Sequence, residues 1–191
     1  MTTIAWTPGC FAADSCITHS DENAMPGHRS FARKLFIHHF EPDRRARALA
    51  IAVASKGDSA AAAALNDLVL EQGKVILTSR SRSEFAKAMN QASLLKKRRE
   101  IIGDKEIGQL LTVWRQDEDV CYEISENGLV VPIDEPYYAI GWDSGIAYGS
   151  LRAGKDALFA VESAACYGCY TAKPIHYLTR SPNGIVLRTA T

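Results

Sequence analysis

Short runs of apolar and β-branched residues near the start of the chain predict β-strands. "TTIAWT" and "CFAADSCIT" flank a Pro-Gly dipeptide, which is typical of a β-hairpin. After a polar, turn-rich stretch over 18–30, the segments "KLFIHHF" and "ARALAIAVAS" predict a second strand pair around "EPDRR". Because "ALAIAVA" is apolar without alternation, we expect that strand to be covered on both faces.

Helical periodicity follows in the middle of the chain. "KGDSAAAAALNDLVLEQG" predicts a helix that is capped by Asp58 or Ser59 and closed by Gly73. "SRSEFAKAMNQASLLKKRREIIG" predicts a second helix over 81–103, with a serine cap at its start. Its "KKRR" run could be a nucleic-acid patch, but on an amphipathic helix such a run is more typical of a solvated face.

Strand patterns return in the second half of the chain. "QLLTVWR", "VCYEI", "LVVPI" and "YYAIG" are separated by short polar turns, which predicts antiparallel structure and the start of a second sheet. "SGIAYGSLRAGKDALFAVESAACYG" carries one or two helices broken near Gly154, and "IHYLTRSPNGIVLRT" predicts a closing hairpin. Strands and helices thus occur in separate blocks. This order indicates an α+β protein with two sheets between helical layers.

At 191 residues the chain is long enough for one domain with a substantial core, and we place that domain over residues 1–191. Hydrophobic residues make up 47% of the chain, and 22 basic residues balance 22 acidic ones. A chain without net charge gives no reason to expect a nucleic-acid or membrane partner. The apolar runs are shorter than a membrane span and no leader pattern precedes them, so we expect a cytoplasmic protein.

The five cysteines are odd in number and widely scattered, which argues against a disulfide framework. "CYGC", Cys166 to Cys169, could be a redox motif or half of a zinc site. The chain has no second motif of this kind, and His176 is the nearby histidine. We therefore expect neither a metal nor an organic cofactor.

Two threonines follow the initiator methionine in "MTTIAWT". Cytosolic aminopeptidases remove Met1 when the next residue is small, which would leave Thr2 with both a free α-amine and a hydroxyl group. That pairing is a known nucleophilic device. By itself the pattern is also typical of an ordinary chain end, since threonine is common at second positions.

Several motifs, taken in order along the chain, carry a resemblance to a known family. They are "MTTIAW", "AADS", "RKLF", "AVASKGDSA", "PYYAIG", "YGSLRAGKDA" and "CYTAKPI". With this order and spacing, the chain resembles the proteasome-type N-terminal nucleophile (Ntn) hydrolases, especially the bacterial proteasome-like peptidases and their phage-encoded relatives. The resemblance implies the four-layer αββα sandwich of that family and a homo-oligomeric ring whose sites face an inner chamber.

The resemblance implies catalytic roles for three residues. Thr2 matches the nucleophile, Asp14 the supporting aspartate and Lys34 the lysine of the family, and the separation of Thr2 from Lys34 is the usual one. A threonine hydroxyl needs a base, and a free α-amine with a pKa of about 7.7 to 8.0 can serve. We expect Lys34 to keep that amine neutral and Asp14 to hold Lys34 charged. Without the resemblance, Asp14 and Lys34 would be interpreted as a strand-edge ion pair.

The resemblance also implies an oxyanion donor. Ala54 matches a family glycine whose backbone N–H takes this role, and the substitution matters little because only the N–H is used. Ser55 and Lys56 would then face the substrate channel.

Two departures from the family concern supporting side chains. Trp142 stands in register where many relatives have an assisting serine. Ser144 follows two positions later, and a small insertion could restore it to the site as a catalytic residue. Relatives also carry an aspartate shortly before the segment matched by "CYTAKPI", where this chain offers Cys166 or Tyr167. Half of the supporting residues are therefore altered.

The resemblance implies a threonine peptidase or amidase that works through an acyl-enzyme on Thr2, without metal or cofactor. Its expected partners are peptide or unfolded polypeptide substrates and other copies of the chain, with an ATP-dependent unfoldase as a further candidate. Trp142 and the missing aspartate favour an alternative, a catalytically silent structural or substrate-holding ring protein of the same fold. The retention of Thr2, Asp14 and Lys34 favours the enzyme.

Overall fold

The computed structural model describes residues 2–18, 29–31, 33–40, 48–75, 79, 81–115, 118–181 and 184–191. The predicted turn at "EPDRR" and most of the polar stretch over 18–30 lie outside these ranges. The described strands are β1 (Thr3–Thr7), β2 (Cys10–Asp14), β3 (Cys16–Thr18), β4 (Arg29–Phe31), β5 (Leu35–His39), β6 (Ala48–Lys56), β7 (Gly108–Arg115), β8 (Asp119–Ile124), β9 (Val130–Pro132), β10 (Tyr138–Gly141), β11 (Ile175–Ser181) and β12 (Gly184–Ala190). The described helices are α1 (Ser59–Val75), α2 (Arg82–Met89), α3 (Ala92–Ile102), α4 (Ser144–Arg152) and α5 (Ala157–Tyr167).

Most of the described strands form two antiparallel sheets. The first sheet has the order β10-β1-β2-β11-β12 and the second has the order β5-β6-β7-β8-β9, while β3 and β4 pair separately. The predicted α+β class is confirmed, with two antiparallel sheets and five helices in the described residues. The expected grouping of strands is wrong for "YYAIG". Its strand, β10, pairs along the edge of β1 in the first sheet instead of following β9 in the second.

The strand β6 shows how the sequence separates two packing faces. Ile51 and Val53 pack in one cluster with residues of the helices α1, α2 and α3. Ala50, Ala52 and Ala54 pack in another cluster with residues of the first sheet. Alternate residues of a strand point to opposite faces, so large side chains meet helices and small ones meet the other sheet. The prediction that this strand is covered on both faces is confirmed.

Three hydrophobic clusters determine which elements pack together. The first cluster joins α1, α2 and α3 to the second sheet. The second joins residues of the two sheets, and the third joins α4 and α5 to the first sheet. No helix within the described ranges is long and apolar enough to cross a membrane.

The predicted single helix over 81–103 is wrong, because the structure has the two helices α2 and α3 there. Ser81 caps α2 by accepting a hydrogen bond from Glu84 N at 3.1 Å. Asn90 ends α2, and its side chain pairs with β9: Nδ2 donates to Val130 O at 2.7 Å, and Oδ1 accepts from Val130 N at 2.9 Å. Asparagine favours helix ends because its amide competes for such bonds, so the chain turns here.

The helix α1 begins as predicted and ends later. Asp58 caps it, since its Oδ1 accepts a hydrogen bond from Ala61 N at 2.8 Å. Gly73 does not close the helix, which continues to Val75. A Cβ at Gly73 would lie 2.7 Å from Ile51 Cδ1, so the glycine serves the close packing of α1 on β6.

The "KKRR" run does not form a uniformly solvated face. Arg98 is fully buried, whereas its three basic neighbours in the run are exposed. The Arg98 guanidinium donates hydrogen bonds to Gly128 O, Gln72 Oε1 and Met89 O at 2.8, 2.6 and 2.8 Å. Burial lowers the pKa of Arg98 to about 10. One residue of the run therefore joins α1, α2 and the turn before β9.

Candidate active site

Thr2, Asp14 and Lys34, here called the Thr2 cluster, come together where three segments meet. Thr2 directly precedes β1, Asp14 ends β2, and Lys34 directly precedes β5. Lys34 Nζ donates a hydrogen bond to Thr2 Oγ1 at 2.6 Å and lies 3.7 Å from Asp14 Oδ2. Thr2 is 3% exposed and Asp14 is fully buried. The structure thus brings together the three residues that the sequence suggested for nucleophilic chemistry.

The Asp14 carboxylate is held by backbone donors on both oxygens. Oδ1 accepts from Thr3 N at 2.8 Å, and Oδ2 accepts from Cys16 N at 3.0 Å. The second contact exists because the predicted strand "CFAADSCIT" breaks at Ser15 into β2 and β3. Burial raises the pKa of Asp14, and the charge of Lys34 and these N–H donors oppose the rise.

The Lys34 ammonium lies between the hydroxyl of Thr2 and the carboxylate of Asp14, and it also donates to the carbonyl oxygen of Cys16. Burial lowers the pKa of Lys34, and the Asp14 carboxylate opposes this change. In its charged form the lysine stabilises negative charge on Oγ1, and in its neutral form it accepts a proton. A lowered pKa increases the neutral fraction near neutral pH.

Ala54 lies on β6, beside the segment that carries Lys34. It pairs with Leu35, the residue after Lys34, and with Leu110 of β7. Its methyl group is fully buried in the cluster between the two sheets. The backbone of Ala54 therefore runs beside the segment that carries Lys34.

Ser55 does not face a substrate channel, so that expectation is wrong. The side chain is buried, accepts a hydrogen bond from Gln109 Nε2 at 2.6 Å and donates one to Asn66 Oδ1. Strand alternation directs Ser55 toward α1, on the face opposite to Ala54. Lys56 is half-buried at the end of the strand.

The two residues compared with the family's serine, Trp142 and Ser144, follow the end of β10. Ser144 begins α4 and is half-buried, and its role as a catalytic residue stays a prediction. Trp142 meets Thr2 through its backbone, since its N–H donates to Thr2 O at 3.3 Å. Its indole is 64% exposed and contacts Tyr170, with 5.3 Å between ring centroids. The indole therefore does not occupy the place of a supporting side chain.

Gly141 allows the end of β10 to lie against Thr2. Its φ is +119°, and a Cβ there would lie 1.9 Å from Thr2 O. Both the backbone conformation and the contact require glycine. This glycine therefore helps to set where Thr2 lies.

A second buried polar network reaches the Thr2 cluster through Thr3, and the sequence interpretation missed it. Thr3 Oγ1 lies 2.6 Å from Thr171 Oγ1, and Thr171 Oγ1 donates to Asp143 Oδ2 at 2.7 Å. Tyr170 N donates to the same carboxylate oxygen at 3.0 Å. The sequence did contain a signal for this network. Asp143 of "GWDSG" lies between Trp142 and Ser144, the two residues that were compared with the family's serine.

Neither Cys166 nor Tyr167 takes the place of the expected aspartate. Both lie at the C-terminal end of α5, Cys166 is exposed, and Tyr167 is 81% exposed. In the described ranges, no group of three or more His, Cys, Asp or Glu side chains is placed to hold a metal ion. The candidate site consists of hydroxyl, carboxylate and ammonium groups.

Similar proteins are found by structure and not by sequence. The sequence matches no protein-family model and no curated protein. One similar structure is Anbu (ancestral beta-subunit) from Yersinia bercovieri, with a TM-score of 0.69 and 18% identity over 99% of this chain and 87% of that chain. The Anbu (Gly-1) mutant from Hyphomicrobium sp. strain MC1 has a TM-score of 0.70 and 17% identity over 99% and 85%. Anbu from the same strain has a TM-score of 0.67 and 17% identity over 100% and 88%.

These structures correct the family that the sequence motifs indicated. The motifs resembled proteasome-type Ntn hydrolases of the bacterial and phage peptidase groups, whereas the similar structures are Anbu proteins. Short motifs reflect local turns and strands that similar folds share, so they cannot distinguish one family of proteins with such a fold from another. At 17% to 18% identity the likeness concerns the fold and not the catalytic residues. The chain has an Anbu-type fold, similar to that of an ancestral β-subunit.

Proposed function

We propose that this chain is a threonine-type peptidase or amidase that uses Thr2 as its nucleophile. The observation that carries the proposal is the hydrogen bond of 2.6 Å from Lys34 Nζ to the buried Thr2 Oγ1, beside the buried Asp14. Burying a lysine and an aspartate costs free energy, and a surface ion pair would avoid that cost. A buried pair aimed at a hydroxyl is an arrangement suited to activating that hydroxyl.

The proposed reaction requires Thr2 to carry a free α-amine after removal of Met1. Oγ1 attacks the carbonyl carbon of the scissile amide while the α-amine takes its proton, and Lys34 stabilises the charge that develops on Oγ1. The C–N bond then breaks, the leaving amine takes the proton, and an ester remains on Thr2. Water hydrolyses this ester with the same amine as base. The backbone N–H of Ala54 is the proposed donor to the oxyanion.

We propose a single domain with a four-layer αββα arrangement. The three hydrophobic clusters support it, because they pair one helical group with each sheet and the two sheets with each other. The word "beta-subunit" in the name of one similar structure supports assembly with other subunits. We propose that the assembly is a homo-oligomeric ring that acts on peptides or unfolded polypeptides. An ATP-dependent unfoldase partner and a cytoplasmic location remain predictions from the sequence.

The test combines intact mass with a covalent probe. Intact mass identifies the protein freed of Met1, which is then incubated with a peptide β-lactone, an electrophile that acylates hydroxyl nucleophiles. We expect an adduct on Thr2 in the wild type, a slower one in Thr2→Ser, which keeps a hydroxyl, and none in Thr2→Ala. Light scattering checks that each variant keeps its assembly. Absence of an adduct on folded, Met1-free wild type would favour the catalytically silent ring protein instead.

A further inference from the structure

We infer that Asp143 is a positioning residue of the Thr2 site and acts through Thr171 and Thr3. The inference rests on the proposed function, because it concerns how Thr2 is held for attack. The Asp143 carboxylate is buried, and its Oδ2 accepts hydrogen bonds from Thr171 Oγ1 at 2.7 Å and from Tyr170 N at 3.0 Å.

Asp143 does not use its side chain in the way that its local position predicts. It stands at the N-cap of α4, where an aspartate ordinarily accepts a hydrogen bond from the first turn of its own helix. Its side chain makes no such capping bond and reaches the segment before β11 instead. At the N-cap of α5, Asp156 does make the ordinary bond, with Phe159 N at 2.9 Å. Asp143 therefore makes long-range hydrogen bonds to Tyr170 and Thr171 in place of a capping bond within α4.

The network has a defined direction of hydrogen bonding. Each threonine hydroxyl has one proton, and Thr171 donates its proton to the Asp143 carboxylate. At the 2.6 Å contact between the two hydroxyls, Thr171 is therefore the acceptor and Thr3 the donor. The Asp143 carboxylate thereby orients the side chain of Thr3, the residue bonded to Thr2.

The space for the Asp143 carboxylate exists because residue 168 has no side chain. The φ and ψ of Gly168 are −88° and 168°, an extended conformation that any residue adopts. A Cβ at Gly168 would lie 2.4 Å from Asp143 Cγ and 2.5 Å from Ala164 O. The glycine is thus explained by the space that the carboxylate and the end of α5 require, and not by backbone strain.

Together these contacts hold Thr2 from both sides. On one side, Gly141 and the N–H of Trp142 meet the carbonyl of Thr2. On the other side, the side chain of Thr3 is bound through Thr171 to Asp143, and its N–H is bound to Asp14. Loss of the Asp143 acceptor would remove the fixed orientation of the Thr3 hydroxyl and would loosen the placement of Thr2 against Lys34. A shift of about 1 Å at a reacting group can lower a rate about 100-fold.

The experiment measures acylation of Met1-free protein by the peptide β-lactone in four variants and one control. We determine both the limiting rate at saturating lactone and the half-saturating concentration. Asp143→Ala removes the acceptor, and Asp143→Asn keeps an oxygen that both donors can reach. Thr171→Val removes the linking hydroxyl, and Thr171→Ser restores it. Asp156→Ala is the matched control, because it removes a helix-capping aspartate away from the Thr2 cluster.

We expect Asp143→Ala and Thr171→Val to lower the limiting rate about 100-fold with little change in half-saturation. Asp143→Asn and Thr171→Ser should stay within about tenfold of the wild type, and Asp156→Ala should match it at a lower melting temperature. A folded Asp143→Ala protein that reacts like Asp156→Ala would overturn this inference and leave the proposed function standing. If Asp143→Ala does not fold, the Thr171 pair decides, and equal rates in that pair would overturn it. An unreactive wild type would instead reject the proposed function, and the inference with it.

Discussion

Replacing Lys34 with methionine tests how the buried charges of the Thr2 cluster depend on each other. Methionine keeps an unbranched side chain of similar length but removes the ammonium group. The variant would leave the fully buried Asp14 carboxylate with the N–H groups of Thr3 and Cys16 and no cation. Removal of one partner from a buried ion pair costs about 3–5 kcal/mol of unfolding free energy. Lys34 retains 12% side-chain exposure, so we expect the lower end, about 3 kcal/mol.

The loss should grow as the pH rises. Burial raises the pKa of Asp14 above 3.8 even while the charge of Lys34 opposes the rise, and without the lysine the pKa should rise further. A carboxyl group with a folded pKa above its unfolded value binds its proton more tightly in the folded state. Unfolding free energy therefore falls as the pH rises from the unfolded pKa through the folded pKa, by about 1.4 kcal/mol per unit of difference.

The assay is urea denaturation of wild type, Lys34→Met and the double variant Lys34→Met/Asp14→Asn at several pH values between about 4.5 and 8. The double variant removes the uncompensated charge, so it should recover part of the stability and lose the added pH dependence. Recovery should be partial because asparagine offers one acceptor oxygen to the two N–H donors. A Lys34→Met protein as stable as the wild type across the whole pH range would refute the reasoning. A double variant less stable than Lys34→Met would refute it as well.

Three further predictions concern stability, site geometry and reactivity. Arg98→Met should lower unfolding free energy by about 3 kcal/mol because three buried acceptors lose their donor, whereas the exposed control Arg99→Met should cost under about 1 kcal/mol in the same urea titration. Gly141→Ala should displace Thr2 and abolish lactone acylation, which mass spectrometry would detect, and an undiminished adduct would contradict the close contact. Burial raises the pKa of the Cys10 thiol to about 11, so this thiol should react with a thiol reagent at pH 8 only after unfolding. Modification of Cys10 in the folded protein at the rate of an exposed thiol would contradict that burial.

Local sequence patterns determined the elements of this protein where one side-chain period dominates. The burial of both faces of β6 and the break between α4 and α5 near Gly154 were both predictable, because an uninterrupted apolar run and helix-ending residues act over a few positions. The same local signals failed at Asn90, where a hydrogen bond to β9 ends a helix that periodicity alone would continue.

The candidate site was predictable from the sequence only in part. Thr2, Asp14 and Lys34 were suggested by a resemblance, and their contact was not contained in any local pattern. Ser55 was misplaced for a physical reason, because a shift of one residue along a strand reverses the direction of a side chain.

Only the tertiary structure determined which polar groups are buried together and form hydrogen bonds with each other. Arg98 lies in a run of exposed charges, and only the acceptors of three distant segments make its burial possible. Asp143 has the sequence position of an ordinary helix cap, and only the packing of α5 and the segment before β11 turns its carboxylate toward Thr171. Burial of a polar group requires partners, and such partners come from residues far apart in the chain, which neither composition nor periodicity encodes.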